Sequence, residues 1–147
     1  MNKSLPDKWV RKAVFDVLDD ISVGGYLIPC YDSHVTYDAQ KDEPSHYILM
    51  TTQTSDVDKN NKCEWFWESS ILLDIITTFP GAGNTGSRLL ADNIADEARS
   101  ALVGLTLDAG SGLEILDITM SFPADIVTDV GAEVIFRKFI RLELRIK

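Results

Sequence analysis

The residue types that carry most thiol and metal chemistry are nearly missing from this chain. Its 147 residues include only two cysteines, Cys30 and Cys63, and two histidines, His34 and His46. The cysteines form no C-x-x-C and offer no disulfide framework, so both read as small buried hydrophobes. The histidines form no H-x-x-x-H pair and have no cysteine at ligand spacing, so no metal site is expected. Cations are scarce too: 14 Lys and Arg against 23 Asp and Glu give a net charge of −9 and a pI near 4.5. That balance excludes tight binding to nucleic-acid backbone or to an anionic membrane. No run approaches the ~18 apolar residues of a membrane span, and MNKSLPDKW lacks a signal-peptide core, so synthesis in the cytosol is expected.

What is present is ordinary for a globular chain. Hydrophobic residues make up 45% and charged residues 25%, enough to rule out wholesale disorder. At 16.4 kDa the chain fits one domain, 1–147. A domain of this length buries roughly 68–70% of its unfolded surface and needs no staple.

Periodicity orders the elements. Val10, Ala13, Val14, Val17, Leu18 and Ile21 recur at steps of three and four, predicting a helix that starts between Ser4 and Asp7 and runs to Gly24-Gly25. Strands are predicted over Tyr26–Val35, irregular at Pro29, and over His46–Thr54. Asp56–Lys62 (DVDKNNK) reads as the loop to a third strand, Cys63–Phe79. Alternation over those 17 residues amounts to roughly 56 Å of strand. So long a strand must bend, or project with His46–Thr54 as a hairpin arm. A second helix is predicted over Arg88–Val103, with Ser87 as N-cap and Gly104 at its end. Leu113–Phe122 and Glu133–Lys147, apolar at even positions, close the chain as strands. The expected fold is α+β: one mainly antiparallel sheet, two helices on one face, order α-β-β-β-α-β-β, and a projecting β-hairpin.

Few motifs carry chemistry. Gly81-Ala-Gly83-Asn-Thr-Gly86 is a G-x-G-x-x-G between strand and helix, with Asp108 downstream, which is the context of a dinucleotide-binding turn. Against it stand a long alternating strand, Pro80 before the turn, and no βαβ repeat. Ser87 and Arg88 replace the G-K-[ST] of a phosphate loop. Cys30 and His34 could share a strand face as a nucleophile pair, but nothing orients them. The acids Asp16, Asp19, Asp20, Asp38, Asp42 and Glu43 read as solvated faces and loops. Trp65 and Trp67 read either as core or, with Phe66, as anchors for a protein partner.

The order of elements and several phrases resemble the tail terminator (tail-completion) proteins of long-tailed bacteriophages. WVRKAVFDVLDDI precedes YLIPCYDSHV; HYILMTTQT leads to a long strand ending LLDIITTF; a glycine break precedes SRLLADNIADEARSAL; EVIFRKFIRLEL closes the chain. The resemblance spans about Trp9 to Leu144 and departs at the DVDKNNK hairpin and the GAGNTGS break. It implies a structural virion protein of the tail and neck, made in the host bacterial cytoplasm. Such a protein forms a homo-oligomeric ring, a hexamer, on the head-proximal end of the tail tube, and meets the tail tube protein and the head-completion or neck proteins. Genomic DNA passes through without specific binding. No catalytic residue and no cofactor come with the family. Another phage connector or a tube-like protein of similar build, and a nucleotide-binding enzyme using the Gly81–Gly86 turn, remain alternatives.

Candidate contact residues follow from surface left unsatisfied. Residues 133–147 carry net charge +3, leaving −12 on the rest, so Arg137, Arg141 and Arg145 could meet the acidic body of a neighbouring subunit. Phe66, Leu72, Ile76, Ile135 and Phe139 fall on the face expected to lack helices, where they would form an exposed apolar patch. Asp56, Asp58 and Lys59, in the predicted hairpin loop, would reach a neighbour or the tube.

Overall fold

The computed structural model describes residues 4–34, 45–58, 65–81, 88–129 and 131–147. The chain is α+β, with helices α1 (Asp7–Leu18) and α2 (Leu89–Val103) against a mainly antiparallel sheet. Strands β1 (Ile21–Val23) and β2 (Tyr26–Ile28) form a separate hairpin. The larger sheet contains β3 (Cys30–Asp32), β4 (His46–Asp58), β5 (Phe66–Pro80), β6 (Ile115–Ser121), β7 (Ile126–Asp129) and β8 (Glu133–Ile146). Its order is β3-β4-β5-β8-β6, and β7 pairs with β8 beyond β6. β3 runs parallel to β4, so the single sheet expected from sequence is two sheets, one of them mixed.

Strand alternation places the core. Ile71, Leu73 and Ile75 of β5 pair with Leu142, Ile140 and Lys138 of β8, and Leu73 and Ile75 with Met50 and Ile48 of β4. The apolar members of these rows join Val10, Val14 and Leu18 of α1 and Ile94, Ala98 and Leu102 of α2 in one buried cluster. A register shift between Met50 and Gln53 lets two very long strands stay paired, since a bulge bends a strand and increases its twist.

Several boundaries differ from the expected ones, each for a local reason. α1 ends at Leu18 rather than at Gly24-Gly25: Asp20 takes φ +56, and Gly24 and Gly25 take φ +57 and +84. Two consecutive positive-φ glycines make a tight hairpin turn, and β-branched Ile21 and Val23 enter it as strand. Pro29 splits the expected Tyr26–Val35 strand; lacking an N–H, it contributes only its carbonyl, which accepts from the Ile48 N–H at 2.9 Å. β4 continues to Asp58, so Asp56 and Asp58 are strand residues rather than loop residues. Lys59 and Cys63 lie outside the described residues. β8 flanks β5 as far as Trp67, opposite Ile146, so the hairpin down to Trp67 lies within the sheet instead of projecting from it.

The second half carries a strand the periodicity missed. β7 forms a hairpin with β8 through Gly131, at φ +81, whose N–H is held by Asp129 Oδ1 at 2.9 Å. In β6 the register shifts between Ile115 and Asp117, which turns Leu116 to solvent although it belongs to the apolar even set. Arg88 precedes α2 without a side-chain cap, and Gly104 follows it at φ −98 instead of in the left-handed conformation expected of a terminal glycine. Ser87, the expected cap, lies outside the described residues.

Candidate interaction surface

The face of the sheet opposite the core cluster gathers most of the residues singled out from sequence. Cross-strand register lines up Asp56, Glu68, Arg145 and Asp117, then Thr54, Ser70, Glu143 and Thr119. Toward the other end run Leu49, Asp74 and Phe139, then Tyr47, Ile76, Arg137 and Ile126. Phe66, opposite Asp58, completes the set. Phe66, Arg137, Phe139, Arg141 and Arg145 therefore share one face with Asp56 and Asp58.

Two ion-pair centres sit on it. At one end the Arg145 guanidinium stacks over the Phe66 ring at 4.5 Å and donates to Asp58 Oδ2 at 3.0 Å. Its Nε lies 3.3 Å from Glu68 Oε1, within ion-pair range but outside hydrogen-bond geometry. At the other end Arg137 grips Asp74 through Nε, 3.2 Å from Oδ2, and through Nη2, while lying 5.3 Å from the Phe139 ring. Asp74 is only 1% exposed. Its hydrogen bond raises the Arg137 pKa above the ordinary value. Burial, followed by the Asp74 charge, pushes the neighbouring Tyr47 hydroxyl up. Between the two centres Arg141 Nη1 donates to Ser70 Oγ at 3.3 Å, in a polar groove of about 360 Å³ that also holds Thr54, Asp56, Glu68 and Glu143.

This arrangement corrects two expectations. The net-positive segment is not a basic patch: Arg137, Arg145 and Lys138 are matched within the chain, Lys138 to Asp92 and Asp125. Around Arg141 and Arg145 the acids Asp56, Asp58, Glu68, Asp117 and Glu143 outnumber the two cations. Pairing joins residues up to 87 apart in sequence, which a window of local charge cannot see. Nor is the apolar patch open. Phe66, Leu72, Ile76, Ile135 and Phe139 are all half-buried, packed among arginine stems that cover apolar surface while their heads stay wet. The exposed large hydrophobics include Leu116, Phe122, Ile126 and Val127, in β6, β7 and the segment between them at the edge of the sheet.

The other candidate chemistries resolve into packing. Cys30 lies in the core, and burial, with Asp19 and Asp32 adding to it, pushes its thiol up to about 12. His34 is exposed beyond the end of β3, so the pair does not meet on one face. The Gly81 N–H donates to Ala132 O at 2.8 Å, and a Cβ there would stand 2.2 Å from Gly131 O. Close backbone approach therefore accounts for Gly81. β5 is antiparallel to both neighbours, whereas a dinucleotide turn follows a parallel strand. Asp108 caps the short 3-10 turn Ala109–Ser111 by accepting the Gly110 N–H. Gly83 and Gly86 lie outside the described residues. Trp67 packs against the core cluster.

One feature was not legible in sequence. The His46 ring meets Tyr26 edge-on, centroids 5.0 Å apart, and lies tilted against Phe79 at 5.3 Å, beside a depression of about 500 Å³; burial lowers its pKa. These three residues come from distant strands, and no local spacing signals them. Among the described residues no group of three His, Cys, Asp or Glu is placed to hold a metal, and no helix is long and apolar enough to cross a membrane. The chain matches no family model and no curated protein.

Proposed function

We propose that this chain is a structural virion protein, the tail terminator of a long-tailed bacteriophage. It forms a closed homo-oligomeric ring, a hexamer, on the head-proximal end of the tail tube, ends tube growth and joins the tail to the neck. Its partners are further copies of itself, the tail tube protein and the head-completion or neck proteins. Genomic DNA passes through the ring without specific contacts. In this role the chain catalyses nothing and needs no cofactor. Its place is the virion, after synthesis in the bacterial cytoplasm.

The observation that carries the reading is the whole-chain order: amphipathic helix, short extended segment, long two-faced hairpin, second helix, closing strands. Both helices cover one side of the six-stranded sheet in this reading. The other side, with Asp56, Phe66, Phe139, Arg141 and Arg145, is left for neighbours. An acidic body suits a conduit for DNA, because negative walls repel phosphate. The dinucleotide alternative has the antiparallel setting of β5 against it. A connector or tube-like protein of similar build differs in position along the tail rather than in fold.

The test is assembly with the gene deleted from the phage that encodes it. Tails should then grow beyond normal length and fail to join heads, and added protein should restore both as a single ring per tail in electron micrographs. Normal tails and full infectivity without the protein would overturn the reading, as would micromolar binding of a dinucleotide.

A further inference from the structure

The two outer edges of the larger sheet are finished differently. β3 forms one edge; it is three residues long, follows Pro29, and lies beside the Arg11–Asp32 ion pair. Short length, proline and charge are the usual means of keeping an edge from pairing further. The opposite edge, β6 followed by β7, spans nearly the whole of β8. Among the described residues these two strands pair with β8 alone. The edge carries exposed Leu116 (45%), Phe122 (47%), Ile126 (43%) and Val127 (43%), and no lysine; its one proline, Pro123, falls between the strands.

Its charge is one-sided. From Glu114 to Asp129 there are four acids and no Lys, Arg or His. Asp125 is occupied by Arg88 and Lys138, and Asp129 holds the Gly131 turn. Asp117 faces Arg145 across the strands, but that guanidinium turns to Asp58 and Glu68. Glu114 and Asp117 are exposed and have no ion-pair partner among the described residues.

We infer that the β6–β7 edge receives an extended, basic segment of a partner protein as an added strand. Alternation fixes the pattern such a strand must have. Ile118 and Met120 pack toward the core cluster, whereas Asp117, Thr119 and Ser121 lie on the opposite face with Arg145, Glu143 and Arg141. The added strand therefore places Val or Ile beside Ile118 and Met120, and Lys or Arg beside Asp117. Main-chain bonds supply affinity, and the alternating side chains supply selectivity. The inference is independent of the ring reading, since it rests on this edge alone.

The probe is a seven-residue peptide alternating Lys with Val, matched to the length of β6, added to the full chain. Binding should slow amide hydrogen exchange over 115–129 and leave α1 unchanged. Asp117→Lys should weaken binding about tenfold, as expected for loss of an opposite charge and gain of a like one. Peptides N-methylated at alternate residues leave the protein untouched: methylation in one phase should abolish binding and in the other phase spare it, because only alternate amides of an added strand face the sheet. Equal binding in both phases, unchanged exchange at 115–129, or equal affinity for an alternating Glu-Val peptide would overturn the inference. So would protection of the same amides by the protein alone, rising with its concentration, which would make a second copy the occupant.

Discussion

Along β5, Ile71, Leu73 and Ile75 turn one way and Leu72, Asp74 and Ile76 the other. The first set is wholly buried in the core cluster, whereas Leu72 and Ile76 are only half-buried. Yet the open face closes completely over one residue, and it is the carboxylate. Asp74 is sealed by the bidentate Arg137 and its neighbours. On the covered face of β5 the buried side chains are mostly apolar, joined by Ser69 and Thr77; on its open face the one fully buried side chain is an ion-paired carboxylate. An open sheet face thus has an interior of its own, built by long cationic side chains.

The largest break in that comparison comes from deleting matched apolar volume on each face. Leu73→Ala should cost about 2–5 kcal/mol in urea unfolding, because packed surroundings relax only partly around a cavity. Leu72→Ala, at a half-buried position on the other face, should cost about 1 kcal/mol. Equal losses would mean that the open face is packed as tightly as the covered one. Next in size is Arg137→Met, which keeps the apolar stem but strands a buried carboxylate. It should cost about 2–3 kcal/mol, below the range for fully buried pairs because the Arg137 head is partly wet. Arg145→Met removes the more exposed centre and should cost about 0.2–1 kcal/mol, an effect that shrinks in high salt. A salt-insensitive loss there would show that cation–π stacking on Phe66 outweighs the ion pairs.

The smallest effect is a pH slope from the rim of the sheet. Burial lowers the His46 pKa in the folded chain, so the unfolded chain takes up the proton more readily. Stability contributed by neutral His46 is therefore present above its unfolded pKa, ~6.5, and is lost as pH falls through that value toward the folded one. His46→Gln should flatten the stability curve between pH 7 and 5. An unchanged slope would assign that acid sensitivity to other groups.

How far the sequence could be read depended on the range of the interaction concerned. The alternation of Glu133–Lys147 placed Ile140, Leu142, Leu144 and Ile146 in the core and put Arg137, Arg141 and Arg145 on the far face, as observed. The stripe Val10, Val14 and Leu18 marked the buried side of α1 equally well. The end of α1 misled, because Ile21 continued the helical spacing while Gly24-Gly25 was in fact a hairpin turn. β6 misled in the opposite way: a one-residue shift between Ile115 and Asp117 sent Leu116 to solvent, and no periodicity records a bulge beforehand. For the candidate surface, strand period put Phe66, Phe139 and the arginines on one face, where the register has them, but local charge misread the electrostatics, taking Arg137 and Arg145 as available cations when Asp74, Asp58 and Glu68 hold them.

By itself the sequence determined the class of fold, the two amphipathic helices, and which side chains of β5 and β8 share a face. These are consequences of local period, 3.6 for a helix and 2 for a strand, which every residue carries with it. Only the tertiary structure decided the parallel placement of β3, the separate β1–β2 hairpin, the partners of each arginine, and the contrast between a guarded edge at β3 and an acidic, apolar edge at β6–β7. Those depend on which strands lie side by side. Strand neighbours are chosen by pairing across tens of residues, and a local pattern contains no term for it.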